Sequence, residues 1–169
     1  MTFEVLPALV AGFVATVVMS AMMTMAARAN MTQMPPMTLV TGSMMTSDPY
    51  RARTMGIVIH YIVMGTVAFG LIYAGVFAGV GSASALTGLL VGAVHGVVVG
   101  AMAMPMMPAM HPRMATVPES GPSGTEGGTV TLSKPGFFGA NWGGMTPVGL
   151  LAGHLVYGLV LALVYSALV

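Results

Sequence analysis

The sequence has no cysteine and only nine charged residues in 169, five basic and four acidic. Without cysteine there is no disulfide framework, zinc finger, thiol nucleophile or iron–sulfur ligation. Charged residues make up 5% of the chain, against about 25% in soluble domains, too few to solvate a globular surface. An ordinary cytosolic enzyme is excluded on that ground. A net charge of +1 likewise excludes nucleic acid as a partner, because neutralising phosphates needs a basic footprint. The chain also lacks a carboxylate pair in its apolar stretches, a nucleophile elbow and an HExxH motif. Its glycine-rich run at 124–128 has no strand–turn–helix setting for phosphate. The expectation is a protein that is not an enzyme by itself.

What is present is apolar. Hydrophobic residues are 56% of the chain, with 23 glycines and 19 methionines. Residues 5–27, 55–80, 86–107 and 147–169 reach the roughly 20 residues needed to cross a bilayer. Inside a bilayer each backbone polar group must be paired within its own segment, so all four read as helices. The expected fold is all-α: a polytopic membrane protein with one transmembrane domain, 1–169, and the lipid bilayer as its first partner. Glu4 is the only charge before the first span and no basic n-region precedes it, so that span reads as a retained anchor.

The connections differ in charge. Gly81-Ser82-Ala83-Ser84 joins the two middle spans without a charge, whereas Arg28, Arg51, Arg53, Arg113 and Lys134 all fall on the two long connections. The positive-inside rule places both long loops in the cytoplasm and both termini outside. Residues 118–131 are rich in Gly, Ser, Thr and Pro and read as a flexible insert. The aromatic stretch from Phe137 to Trp142 is expected in the headgroup zone.

The chain carries signs of an internal duplication. Gly12, Val14, Val17, Val18, Ala21 and Met22 match Gly92, Val94, Val97, Val98, Ala101 and Met102 at a constant offset of 80. Both segments run into Met- and Pro-rich exits. Gly56 precedes His60 by four residues and Gly149 precedes His154 by five, which makes these histidines candidate counterparts. The expected architecture is two duplicated helical hairpins of parallel topology. Gly88, Gly92, Gly96 and Gly100 form a small-xxx-small ridge that admits a close neighbour, either another membrane subunit or a second copy.

Ionisable groups inside spans are functional candidates by default. His60 and His154 lie near the loop ends of their helices and His95 lies deeper. At helical spacing His95 shares a stripe with Val99, Met102 and Met106; Met22 lies on the corresponding stripe of the first span, and Met64 one turn beyond His60. If the helices close into a bundle, His60, His154, His95, Met22, Met102 and Met64 are the candidate metal ligands. Imidazole with thioether is the set that Cu(I) prefers, with haem b between paired histidines as the second option. No Asp or Glu lies within a span, which argues against hard cations. The same residues also admit a plain packing role, since Met fills irregular gaps and a membrane His bonds hydroxyls or carbonyls on the next helix. The chain would then be an accessory subunit of a larger complex of respiratory or oxygenase type. A small transporter or channel is a third reading. His111, beside Pro112 and Arg113, is expected to be solvated at the interface.

The segments Ala11-Gly12-Phe13-Val14-Ala15-Thr16-Val17-Val18-Met19, His60-Tyr61-Ile62-Val63-Met64-Gly65-Thr66 and Gly153-His154-Leu155-Val156-Tyr157-Gly158 resemble an uncharacterised family of small four-helix bacterial integral membrane proteins. The resemblance implies four spans and a prominent place for His60 and His154; the expected location is the inner membrane. It implies no catalytic residue.

Overall fold

The computed structural model describes residues 1–114 and 123–169. Four long helices are each apolar and long enough to cross a membrane: α1 (Val5–Arg28), α3 (Pro49–Val80), α4 (Ala85–Met110) and α5 (Thr146–Leu168). A short helix α2 (Met37–Ser43) and a hairpin of β1 (Gly124–Glu126) and β2 (Thr129–Thr131) lie in the long connections. The second long helix starts six residues before the expected 55, because Asp48 caps it: its carboxylate accepts the Arg51 N–H at 2.7 Å, with Pro49 following.

Small residues set how the long helices pack. A Cβ on Gly12 would stand 2.7 Å from the Gly65 carbonyl oxygen and 2.9 Å from Gly70 Cα, so α1 and α3 touch backbone to backbone. A Cβ on Gly158 would stand 2.9 Å from Gly92 Cα, and α4 meets α5 in the same way. Such approach is what drives association in lipid, where apolar surface alone gives no preference for a neighbour. α1 also packs along α5, joining the two pairs.

These crossings sharpen the duplication. They equate Gly12 with Gly92 at the expected offset of 80, and Gly70 with Gly158 at 88. At that second offset His154 corresponds to Thr66, not to His60. The glycine spacing before each histidine pairs His154 with His60 instead; along the crossing His154 stands level with Gly65 and Thr66. The ridge is also resolved: Gly88 and Gly92 face the α5 backbone, Gly96 faces the His154 side chain and Gly100 faces the Phe138 ring. It is occupied within the chain and offers no free surface for self-association.

The two long connections fold together on one side of the bundle. Leu39, Val40, Met104, Met114, Leu132 and Trp142 belong to one buried core. Trp142 is 1% exposed and its indole donates to the Ser133 carbonyl at 3.1 Å, so it is the centre of this cap, not a headgroup anchor. A tight turn over Phe137–Trp142 folds it inward while Phe137 stays exposed. Of the insert expected to be flexible, the described part forms the β1–β2 hairpin, and Val130 N–H donates to the Ser47 carbonyl at 2.9 Å. Residues 118–122 lie outside the described residues. His111 is buried as well, at 1% exposure, because its imidazole bonds the C-terminal end of α2: Nε2–H donates to the Val40 carbonyl at 2.9 Å. Both termini meet at the opposite end, where Glu4 N–H donates to the Tyr165 hydroxyl at 3.0 Å and that hydroxyl donates to the Thr2 carbonyl at 3.1 Å.

Candidate intramembrane histidine site

Two of the long helices depart from regular winding. α3 widens into a π-helix over Val58–Phe69 and α4 does so over Val99–Ala103. Within the first, the Thr66 hydroxyl donates to the Tyr61 carbonyl, five residues back, at 2.7 Å. π-Helical stretches are frequent at functional sites. They also break the 3.6-residue count. Met102 and Met106, expected on the His95 stripe, are instead 56% and 54% exposed. Met64, inside the π segment of α3, is 40% exposed. The extra residue per turn carries these side chains to the outside of the bundle.

The histidines that meet are His95 on α4 and His154 on α5. Their ring centroids are 4.5 Å apart with planes at 79°. The glycine-lined α4–α5 contact makes this possible: Gly92 and Gly96 carry no side chain between the two helices, and Gly96 lies against His154 itself. Phe69 lies over His95 at 4.1 Å between centroids. Tyr73 places its hydroxyl 3.1 Å from His95 Nδ1. Tyr157 packs against Tyr73 at 5.4 Å and donates its hydroxyl to the Gly65 carbonyl at 2.8 Å, tying α5 to the π-helical part of α3.

The hydrogen bonds fix much of the chemistry. His154 Nδ1 lies 2.8 Å from the Leu150 carbonyl. A carbonyl only accepts, so Nδ1 carries the proton and a neutral ring keeps the lone pair on Nε2. His95 Nδ1 faces a hydroxyl, which can donate or accept. When Tyr73 accepts, both neutral rings keep an unprotonated Nε2. That is the arrangement in which a metal-binding imidazole is held by its other nitrogen.

The remaining candidates fall elsewhere or nearby. His60 sits between α3 and α1, 3.4 Å from the Ser20 hydroxyl, and is not part of the pair. Met22 reaches the same stretch of α5: its methyl carbon would be 3.6 Å from a Cβ on Gly153, next to His154. Met64 and Met102 are not brought in. The imidazoles touch edge to face, leaving no gap between them for a porphyrin. Among the described residues no group of three or more His, Cys, Asp or Glu side chains converges as a ready cation cage. Sequence reasoning missed Phe69, Tyr73 and Tyr157 as site residues. The available signal was chemical: a tyrosine hydroxyl buried within a span needs a partner, and Tyr157 lies three residues after His154.

Residues 3–119 match a family of unknown function, DUF6789, and the chain belongs to that family. The matched segment holds His60, Tyr73 and His95, whereas His154 and Tyr157 lie beyond it. No curated protein matches the chain. No solved structure matches it.

Proposed function

We propose that this protein is a multi-pass inner-membrane protein, with both long loops in the cytoplasm, that binds a soft metal ion, Cu(I), at the His95–His154 pair. It acts by binding, and no residue is assigned a catalytic role. One observation carries the reading: two imidazoles meet inside the bundle, each with its Nδ1 engaged by a fixed partner. Neutral nitrogen donors in an apolar surround suit a soft, singly charged ion better than a hard divalent one, which would need oxygen ligands. Tyr73 and the Leu150 carbonyl orient the rings.

Titration of the detergent-purified protein with Cu(I), against a chromophoric competitor and under anaerobic ascorbate, tests this. His95→Gln and His154→Gln should each abolish one bound equivalent. Tyr73→Phe should weaken that equivalent by about 10–100-fold, the usual effect of losing an outer-shell partner. Undiminished binding in both histidine variants would sink the assignment.

A further inference from the structure

Three methionines of α1 converge on a gap in α5 that no side chain of α5 fills. Met19, Met22 and Met23 stand at spacings of three and four and so share one face of α1. Opposite them lie Gly149 and Gly153, one turn apart on α5. A Cβ on Gly153 would meet Met19 Cγ at 3.4 Å, Met23 Sδ at 3.5 Å and Met22 Cε at 3.6 Å. A Cβ on Gly149 would meet Met23 Cε at 3.6 Å. Met23 thus brings its sulfur to this glycine, and Met19 and Met22 bring carbons bonded to theirs, so three thioether side chains gather around one glycine. All three side chains are partly buried and turned from the outside of the bundle, unlike Met25, which is 63% exposed.

We propose that Met19, Met22 and Met23 form a second soft-metal site, a three-thioether seat for Cu(I) on the loop side of the His95–His154 pair. The proposal rests on the soft-metal reading above. Thioethers are neutral, soft and polarizable; they bind Cu(I) and discriminate against Mg(II) and Ca(II). Three neutral sulfurs leave the net charge of the occupied seat at +1, the smallest desolvation burden a metal ion can bring into a span. The position gives the seat a role. Met19–Met23 fall in the second half of α1 and Gly149–Gly153 in the first half of α5, both toward the end where the cap sits. Gly153 directly precedes His154. An ion arriving from the cap side meets the thioethers first and the imidazoles next, a softer and more labile station before a firmer one. Packing alone asks only for volume here, which leucine supplies equally well, and that is the basis of the test.

The full-length protein in nanodiscs is titrated with Cu(I) against a chromophoric competitor, as wild type, as Met19→Leu/Met22→Leu/Met23→Leu, and as His95→Gln/His154→Gln. The expected result is two Cu(I) per wild-type chain and one per chain in each variant. Met-to-Leu exchange conserves volume, and unchanged Trp142 fluorescence and thermal midpoint show that the triple variant is folded. X-ray absorption on selenomethionine-labelled protein adds a readout without mutation: a Cu–Se scattering path is expected in the wild type. Loss of one equivalent from the triple variant, with the Cu–Se path, supports the seat. An unchanged stoichiometry in that variant, or the absence of Cu–Se scattering, overturns the seat and leaves the histidine assignment standing. A wild type that takes up no Cu(I) overturns both.

Discussion

His111 shows how one buried side chain can hold two loops together. Its Nε2–H donates to the Val40 carbonyl, its Nδ1 accepts the Arg113 N–H at 3.2 Å, and the Ser43 hydroxyl lies 3.3 Å from Nε2. Arg113 in turn donates from its guanidinium to the Ser43 carbonyl. The neutral ring satisfies both neighbours; a protonated ring would set an Nδ1–H against the Arg113 N–H. Burial pushes the imidazole pKa below its ordinary 6.5, the Val40 carbonyl partly opposes this, and the Arg113 charge lowers it further. The folded cap therefore binds the proton less readily than the unfolded chain does. Stability from this group is full above about pH 6.5 and is lost as the pH falls through the depressed folded value. The single tryptophan, Trp142, belongs to the same buried core and reports on it. Its fluorescence melting midpoint should fall as the buffer is taken from pH 7.5 toward 5. His111→Gln, which can still donate to Val40, should flatten that slope. An identical pH profile in the variant would assign the slope to another group.

At the scale of elements, glycines decide which helices meet. Gly92 and Gly79 both lie in apolar helices, yet their surroundings differ completely. A side chain at Gly92 would collide with the His154 carbonyl, while nothing lies within 4 Å of one at Gly79. Gly92→Leu should force α4 off α5, at an overpacking cost of about 1–3 kcal/mol, and should also part the His95–His154 rings. Gly79→Ala should leave the melting temperature unchanged or slightly raised, since alanine restricts the chain more than glycine. Thermal melts of the two variants side by side, with Cu(I) uptake measured on each, check this; equal melting points would refute the crossing. The glycine ridge itself was legible from its four-residue spacing. The π-helical stretches were not, because widened winding leaves no mark in hydrophobic periodicity. Counting at 3.6 residues per turn therefore sent Met102 and Met64 inward, when the structure turns them out.

The whole molecule has two ends of different character, and this much was visible in the sequence through the placement of a few charges. The four spans followed from length and apolarity alone. The cap did not, because its core is assembled from residues far apart in the chain, such as Val40 with His111 and Ser47 with Val130, and local composition reads such segments as plain loop. The ends can be told apart directly. Arg28, Arg51, Arg53, Arg113 and Lys134 all belong to the cap side or its helix ends, while Thr2 lies with Tyr165 at the other end. The orientation proposed above, which follows the positive-inside bias, has the cap in the cytoplasm. Because the chain contains no cysteine, single reporters can be introduced cleanly at two exposed positions, Thr2→Cys and Ser47→Cys. In intact spheroplasts a membrane-impermeant maleimide should label the Thr2 variant and spare the Ser47 variant until the membrane is opened. The reverse pattern would turn the molecule over: ions would then reach the thioether face from outside, and Cu(I) loading of intact cells would proceed without crossing the membrane first.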